Sequence, residues 1–423
     1  MRILFLPVAA TTTPLFHMVP LAWAFRAAGH EVRVAALPDL TPAVTGVGLP
    51  AVEVGHGYEL MDGVIRSRGG HRVIEAPAKD WDRTGLAAPG GPHGGPPAPG
   101  DPEAARLAAL RNATMAPLVE AAVRMAPDLL RFAERWRPDL VVADTMVFAA
   151  PLVASVLGIP LVRQTWGPDV MRVISQPLQG LPGAGDEVRP YWPTGLPELF
   201  DRYGAEVRND YPVRTVDPWP TSLQLPGIPG RLPMRFVPYN GSAAAPDWVL
   251  DRPERPRICV TWGTSTSALA GDEAFVLPQV VAGLADLDVE VTLAISAGDR
   301  AKIGPLPGNA RIAENVPLHL FLPSCTAIVN QGGTSSLLTA ALHGLPQVMM
   351  PQTADNPFNA ANFAAGGASI TLDPTEAGPA EIGAAVGRVL TEDSFRASAR
   401  KVREEIMSAP TPAEIVHSLV ALV

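Results

Sequence analysis

Apolar runs of five to seven residues alternate with helix-patterned stretches along this chain, and the alternation occurs in two separate blocks. Runs that short, bounded by turn residues, read as buried strands of parallel sheets. In the first block residues 2–7 (RILFLP) form such a run. A polar loop, Thr11-Thr12-Thr13-Pro14, follows, and MVPLAWAFRAAGH then carries a helical pattern that stops at Gly29. Residues 31–37 (EVRVAAL) are the next run. Strand, helix and strand in this order make a right-handed βαβ unit. RPDLVVAD feeds a further strand that ends on Asp144, and open α/β sheets bind ligands at such carboxyl ends. The second block repeats the grammar with RICVTW (257–262), VEVTLAI (289–295), ARIAENV (310–316), TAIVN (326–330), QVMMP (347–351) and ASITL (368–372). The pattern predicts an α/β protein of two Rossmann-like, doubly wound domains, residues 1–225 and 257–405, joined by a proline-rich crossing at 226–256. Residues 67–103 break the pattern as a Pro/Gly-rich surface loop, and 173–225 show little periodicity.

Composition narrows the function classes. With 33 Lys+Arg against 42 Asp+Glu the chain is net acidic at −9, which argues against a nucleic-acid partner. Two cysteines supply neither a disulfide framework nor a four-thiolate zinc site. The apolar start RILFLPV is too short for a signal peptide or a membrane span. The longer apolar stretch around Asp144 is interrupted by that charge and two prolines. The expectation is a soluble cytoplasmic protein.

The strongest local motif is TAIVNQGGTSSLLTAALHGLP. A strand runs to Asn330, and Gln331-Gly332-Gly333-Thr334-Ser335 then opens a helix that stops at Gly344. Two glycines admit a ligand close to the backbone, while hydroxyls and free helix N–H groups face it as an anion site. A capped strand–helix turn is the plainer explanation of the same residues. TWGTSTS repeats the arrangement at Gly263, Thr264 and Ser265, so two loops of one domain converge on one phosphate group. No GxGxxG follows the first strand and no GxxxxGK[ST] occurs, so neither a dinucleotide site nor a P-loop is indicated. No HExxH or GxSxG points to a metalloprotease or a hydrolase. His17, just ahead of the first helix pattern, lies near the carboxyl end of the first strand and is a candidate base, though an exposed helix-start histidine is as common.

The segment QGGTSSLLTAALHGLPQVMMPQTADNPFNA resembles the donor-binding segment of GT-B glycosyltransferases, in particular the antibiotic branch that moves deoxysugars from TDP onto polyketides. MVPLAWAFRAAGHEVRVAALP, RPDLVVADTMVFAAPLVA, WGPDVMR, FVPYNGSAAAPDW and ARIAENVPLHLFLPSC are similar to that branch too, so the likeness spans nearly the whole chain. It resembles macrolide aminosugar transferases, including those of the spinosyn kind. The resemblance implies two domains facing across a cleft, with a C-terminal helix at 406–423 packing back on the first. It implies an inverting, metal-independent transfer from a TDP-deoxysugar, without a cofactor, to a hydroxyl or carbon of an apolar polyketide. His17, in the spacing His-x-x-Pro to Pro20, would be the base, and Asp144 the carboxylate that orients it. Gly263, Thr264, Ser265, Gly332, Gly333, Thr334 and Ser335 would meet the diphosphate, Asn315 and Val316 the base, and Asp355-Asn356 the sugar. Gln331 stands where that family usually has a histidine on the diphosphate; it would bind there with one amide hydrogen bond but cannot become cationic. The resemblance leaves room for a cytochrome-P450-like activator and for a homodimer. Two other readings remain open from the residues: a catalytically weak TDP-sugar-binding partner, and a non-hydrolysing UDP-sugar epimerase.

Overall fold

The apolar runs of the two blocks form two parallel sheets, so within each sheet the carboxyl ends of the strands lie on one side. The computed structural model describes residues 1–67, 102–174, 179–263, 275–352 and 355–423. The Pro/Gly-rich loop falls mostly outside these, and Thr264 and Ser265 fall wholly outside them.

The first sheet contains β1 (Arg2–Leu6), β2 (Glu31–Ala36), β3 (Ala51–Glu53), β4 (Leu140–Asp144), β5 (Leu161–Gln164), β6 (Pro212–Asp217) and β7 (Arg231–Pro233). Its order is β3-β2-β1-β4-β5-β6-β7. The second contains β8 (Arg257–Thr261), β9 (Glu290–Ile295), β10 (Ala310–Glu314), β11 (Ala327–Asn330), β12 (Gln347–Met349) and β13 (Ser369–Thr371), in the order β10-β9-β8-β11-β12-β13. All pairings within both sheets are parallel. The central strands, β4, β5, β8, β11 and β12 among them, are buried along their whole length, which is why they read as unbroken apolar runs and not as alternating ones.

Two local expectations change. The first helix is Thr12–Ala27 and absorbs Thr12, Thr13 and Pro14, which the sequence suggested as loop. Pro14 falls in the first turn, where the missing N–H removes no helix bond. His17 therefore lies inside the helix and is buried, not ahead of it and exposed. The crossing at 226–256 gives its first residues to the first sheet: Thr215, Val216 and Asp217 of β6 pair with Arg231, Leu232 and Pro233. The following segment then runs to the second sheet.

Each sheet has its own core, one around Phe5, Phe25 and Leu129 and one around Trp262, Leu293 and Val348. A third apolar cluster joins the halves, packing Trp219, Leu223 and Phe236 against Leu337, Phe363 and Ile406. The last helix, Pro412–Val420, opens with a capping box in which Thr411 and Glu414 satisfy each other's backbone N–H groups. It buries Ile415, Val416 and Leu419 in the first core. No described helix is long and apolar enough to cross a membrane.

Candidate active site

In each sheet the strand order reverses at one place, and the crevice there is where open α/β sheets bind ligands. In the first sheet β1 is flanked by β2 and β4. In the second, β8 is flanked by β9 and β11. His17 lies in the helix after β1 and Asp144 ends β4, while Gly263 follows β8 and Gln331–Ser335 follow β11. His17, Asp144, Gly263 and Gln331–Ser335 thus lie at two switch points, and the two meet, whereas Asn315 and Val316 follow β10 and Asp355 and Asn356 follow β12.

The meeting contact is a hydrogen bond. His17 Nε2 lies 2.9 Å from Ser335 Oγ, across 318 residues of sequence. The imidazole also packs 5.4 Å from the Phe236 ring. Gln164, at the end of β5, donates from Nε2 to the His17 carbonyl at 2.8 Å and so ties the helix to the sheet edge. Only 4% of His17 is exposed, and desolvation drives its pKa down to about 3, so the ring is neutral. Its Nδ1 is buried without a hydrogen-bond partner.

Asp144 is not hydrogen-bonded to that nitrogen. Its Oδ1 accepts the Met146 amide at 2.8 Å and holds the turn after β4. Met146 and Phe148 of this turn line an apolar cavity with Val8, Leu37, Leu118 and Met125. Burial raises the Asp144 pKa to about 7, against the opposing pull of the Met146 amide and the Trp166 indole. A carboxyl raised in the folded state binds its proton more tightly there than in the unfolded chain. Its contribution to stability is intact below the ordinary 3.8 and is lost as pH rises from there to about 7. Asp144→Asn cannot ionise, so it is expected to gain on the wild type through that window, by about 2–4 kcal/mol at the top. Thermal melts of both proteins across pH check this, and a difference that does not grow with pH would show that Asp144 ionises as an ordinary carboxyl.

On the opposite side, the helix Thr334–Leu342 begins at Gly333 with no side-chain cap, so its first N–H groups are left for a ligand. The Gln331 side chain is 2% exposed and folds down over two glycines. A Cβ on Gly263 or on Gly333 would collide with Gln331 Nε2. Gln331 Oε1 has no partner. Gly332 has φ of +82°, and a Cβ there would stand 3.0 Å from the Asn356 carbonyl oxygen, so glycine is required twice over. Asp355 accepts from Thr334 Oγ1 at 3.1 Å and from Asn359 Nδ2 at 2.9 Å, and its burial raises its pKa. Asn356 is buried at the start of the next helix. Asn315 takes a left-handed φ of 55°, and Val316 packs partly buried behind it.

Several site residues carried no role in the sequence reading. WGPDVMR forms a turn held from beneath by Asp169, which accepts from Arg163 Nη2 at 2.6 Å and pairs with Arg172 Nε at 3.3 Å. This turn sets Gly167 against the other half, where a Cβ would lie 3.1 Å from Thr334 Oγ1 and 3.5 Å from Asp355 Oδ2. In FVPYNG, Asn240 Nδ2 donates to Thr339 Oγ1 at 3.2 Å, and Tyr239 packs edge-on to Phe16 at 5.1 Å. Both segments were quoted for likeness, but partners in the other half leave no local trace. Among the described residues, no group of three His, Cys, Asp or Glu is placed to hold a metal ion.

Comparison with known proteins agrees with this geometry. The family model "Erythromycin biosynthesis protein CIII-like, N-terminal domain" matches residues 23–81 and 105–263, and its C-terminal counterpart matches 278–422. The chain is 37% identical to the 10-deoxymethynolide desosaminyltransferase of Streptomyces venezuelae, over 99% of this chain and 96% of that one. It is 35% identical to the tylactone mycaminosyltransferase of Streptomyces fradiae, over 99% and 92% respectively. Spinosyn rhamnosyltransferase SpnG superposes with a TM-score of 0.77 at 30% identity, over 99% of this chain and 100% of that one. SpnG structures are known with thymidine diphosphate and with the spinosyn aglycone.

Proposed function

The chain belongs to the erythromycin biosynthesis protein CIII-like family of GT-B glycosyltransferases, and from that premise we propose that it moves a deoxysugar from TDP to an apolar polyketide with inversion at the anomeric carbon. The observation that carries the reading is the contact between the two switch points, His17 of one against Ser335 of the other. A base from the first domain and an anion site from the second stand within one hydrogen bond, which puts both within reach of one bound sugar donor.

The diphosphate binds at the start of the helix Thr334–Leu342, where free N–H groups and the positive end of the helix dipole face it. Gln331, lying over Gly263 and Gly333, gives it one amide N–H. Asp355 turns from Thr334 to the sugar hydroxyls when donor arrives. The acceptor presents its hydroxyl to the His17 imidazole from the first domain, whose apolar cavity after β1 and β4, about 10 Å³, has room for one water-sized group and would have to widen for a polyketide. His17 takes the hydroxyl proton as the oxygen attacks the anomeric carbon from the face opposite TDP, which inverts the centre. Asp144 shapes the cavity through the Met146 turn and does not touch the imidazole. The chemistry on this reading runs on the chain's own side chains, without a metal or cofactor. A P450-like activator or a second copy of the chain would enter as an added requirement for turnover.

Calorimetric titration with TDP, UDP, GDP and ADP tests the donor side. TDP is expected to bind selectively, and Gln331→Ala to weaken it about tenfold, the worth of one hydrogen bond to a charged group. Equal or tighter UDP binding would overturn the TDP assignment in favour of a UDP-sugar enzyme. Incubation with TDP-deoxysugars and macrolactones, with and without a P450-like protein, then tests transfer itself.

A further inference from the structure

Resting on that reading, we propose that Ser335 is a catalytic residue: its hydroxyl links His17 Nε2 to the leaving diphosphate, so that one proton shift serves acceptor and leaving group together. The placement is specific. Ser335 is the second residue of the helix whose start receives the diphosphate, and its Oγ is the partner of His17 Nε2 at 2.9 Å. A hydroxyl accepts and donates at once, so Oγ can take a hydrogen bond from imidazole while its own proton goes to a phosphate oxygen. Nδ1 has no partner and is the ring nitrogen left to receive the acceptor proton.

Two features of the site call for this arrangement. Burial holds the His17 pKa at about 3, so a base that merely stored the proton would become an unfavourable buried imidazolium. A ring that gains a proton at Nδ1 as it releases one from Nε2 stays neutral. The departing diphosphate also gathers negative charge, and Gln331 has no positive charge to offer it. A proton arriving through Ser335 meets that need.

The step balances. The acceptor O–H proton passes to Nδ1, the Nε2 proton to Ser335 Oγ, and the serine proton to the phosphate oxygen leaving the sugar. The bond from acceptor oxygen to anomeric carbon forms with the acceptor's electron pair. The bond from that carbon to the phosphate oxygen breaks, and its pair leaves with the diphosphate. Serine is restored, and the imidazole ends as its other tautomer.

Ser335→Ala and Ser335→Thr test the assignment, because the half-buried position accepts either side chain. Alanine is expected to lower kcat about 10²-fold, while TDP affinity and donor KM change by about tenfold at most, the worth of the one hydrogen bond lost to the diphosphate. Threonine keeps the hydroxyl and should retain most of the turnover. Nitrogen-15 NMR of histidine-labelled enzyme adds a readout without acceptor: TDP should shift His17 Nε2 in the wild type and in Ser335→Thr, but not in Ser335→Ala. Loss of TDP affinity equal to the loss of turnover would reduce Ser335 to a phosphate ligand and overturn the relay, as would full activity in Ser335→Ala. Should the wild type bind TDP and glycosylate nothing, the transferase reading fails. An Nε2 signal indifferent to TDP then overturns the Ser335 link by itself.

Discussion

His17→Ala is expected to cut kcat about 10³-fold while TDP affinity stays within about threefold of wild type. The helix Thr12–Ala27 holds the imidazole at the end of β1, and Gln164 and Phe236 fix its backbone and ring, so its position is built and not incidental. A histidine kept neutral by burial is an available base, and positioned bases contribute about 10²- to 10⁴-fold. On the proposed reading the diphosphate contacts come from the other domain and would survive the substitution. His17→Gln fills most of the space and controls for the cavity that alanine opens. Its turnover should fall as far as that of alanine. Unchanged turnover in both variants would remove His17 from the chemistry and leave Asp144, with its pKa near 7, as the remaining titratable candidate on the acceptor side.

Much of this was legible in the residues because a doubly wound fold writes itself locally. All six runs quoted from the second block are strands, from β8 at RICVTW to β13 at ASITL. They are legible because helices cover both faces of the sheet, which forces continuous apolar segments. The strands β6 and β7 were not legible. They lie at the far edge of the first sheet, where Val213 and Arg214 are exposed and prolines flank the run, so the apolar signal is weak. The start of the first helix was misplaced because Thr-Thr-Thr-Pro has loop composition, although a proline in the first turn costs the helix nothing.

At the site, residue types were legible and partners were not. Asp144 ends β4 and His17 lies in the helix that follows the adjacent β1, which suggests a pair, yet Asp144 turns to the Met146 amide two residues on. A local backbone donor competes well for a buried carboxylate, and no pattern in the chain marks the outcome. Gln331 was read as a contact for phosphate. Its packing onto Gly263, 68 residues earlier, depends on the second sheet bringing the ends of β8 and β11 side by side. The bond between His17 and Ser335 exists only because two complete domains face each other. A motif search in either domain alone sees a helix histidine and a helix-start serine, each with an ordinary explanation.

Asp169→Ala is expected to destabilise the protein by about 3–5 kcal/mol and to impair turnover with it. Arg163 and Asp169 are each 1% exposed in their side chains, and Arg172 is 3% exposed. Removing the one carboxylate leaves two guanidinium groups buried together without a counter-charge, and that uncompensated burial sets the size of the loss. Arg163 keeps its bonds to Thr215 and Gln179, and Arg172 keeps one to the Pro226 carbonyl, so the site loses charge balance more than contacts. Asp169→Asn retains an acceptor and should fall short of the alanine loss by about 1 kcal/mol. Urea denaturation of the three proteins measures both differences. The catalytic consequence follows from where Asp169 sits: it anchors the turn that sets Gly167 against Thr334 and Asp355. A loosened turn uncouples the first domain from Thr334 and Asp355 of the second, so on the proposed reading kcat should fall even at temperatures where the variant remains folded. Wild-type turnover in a strongly destabilised variant would show that this network holds the fold alone.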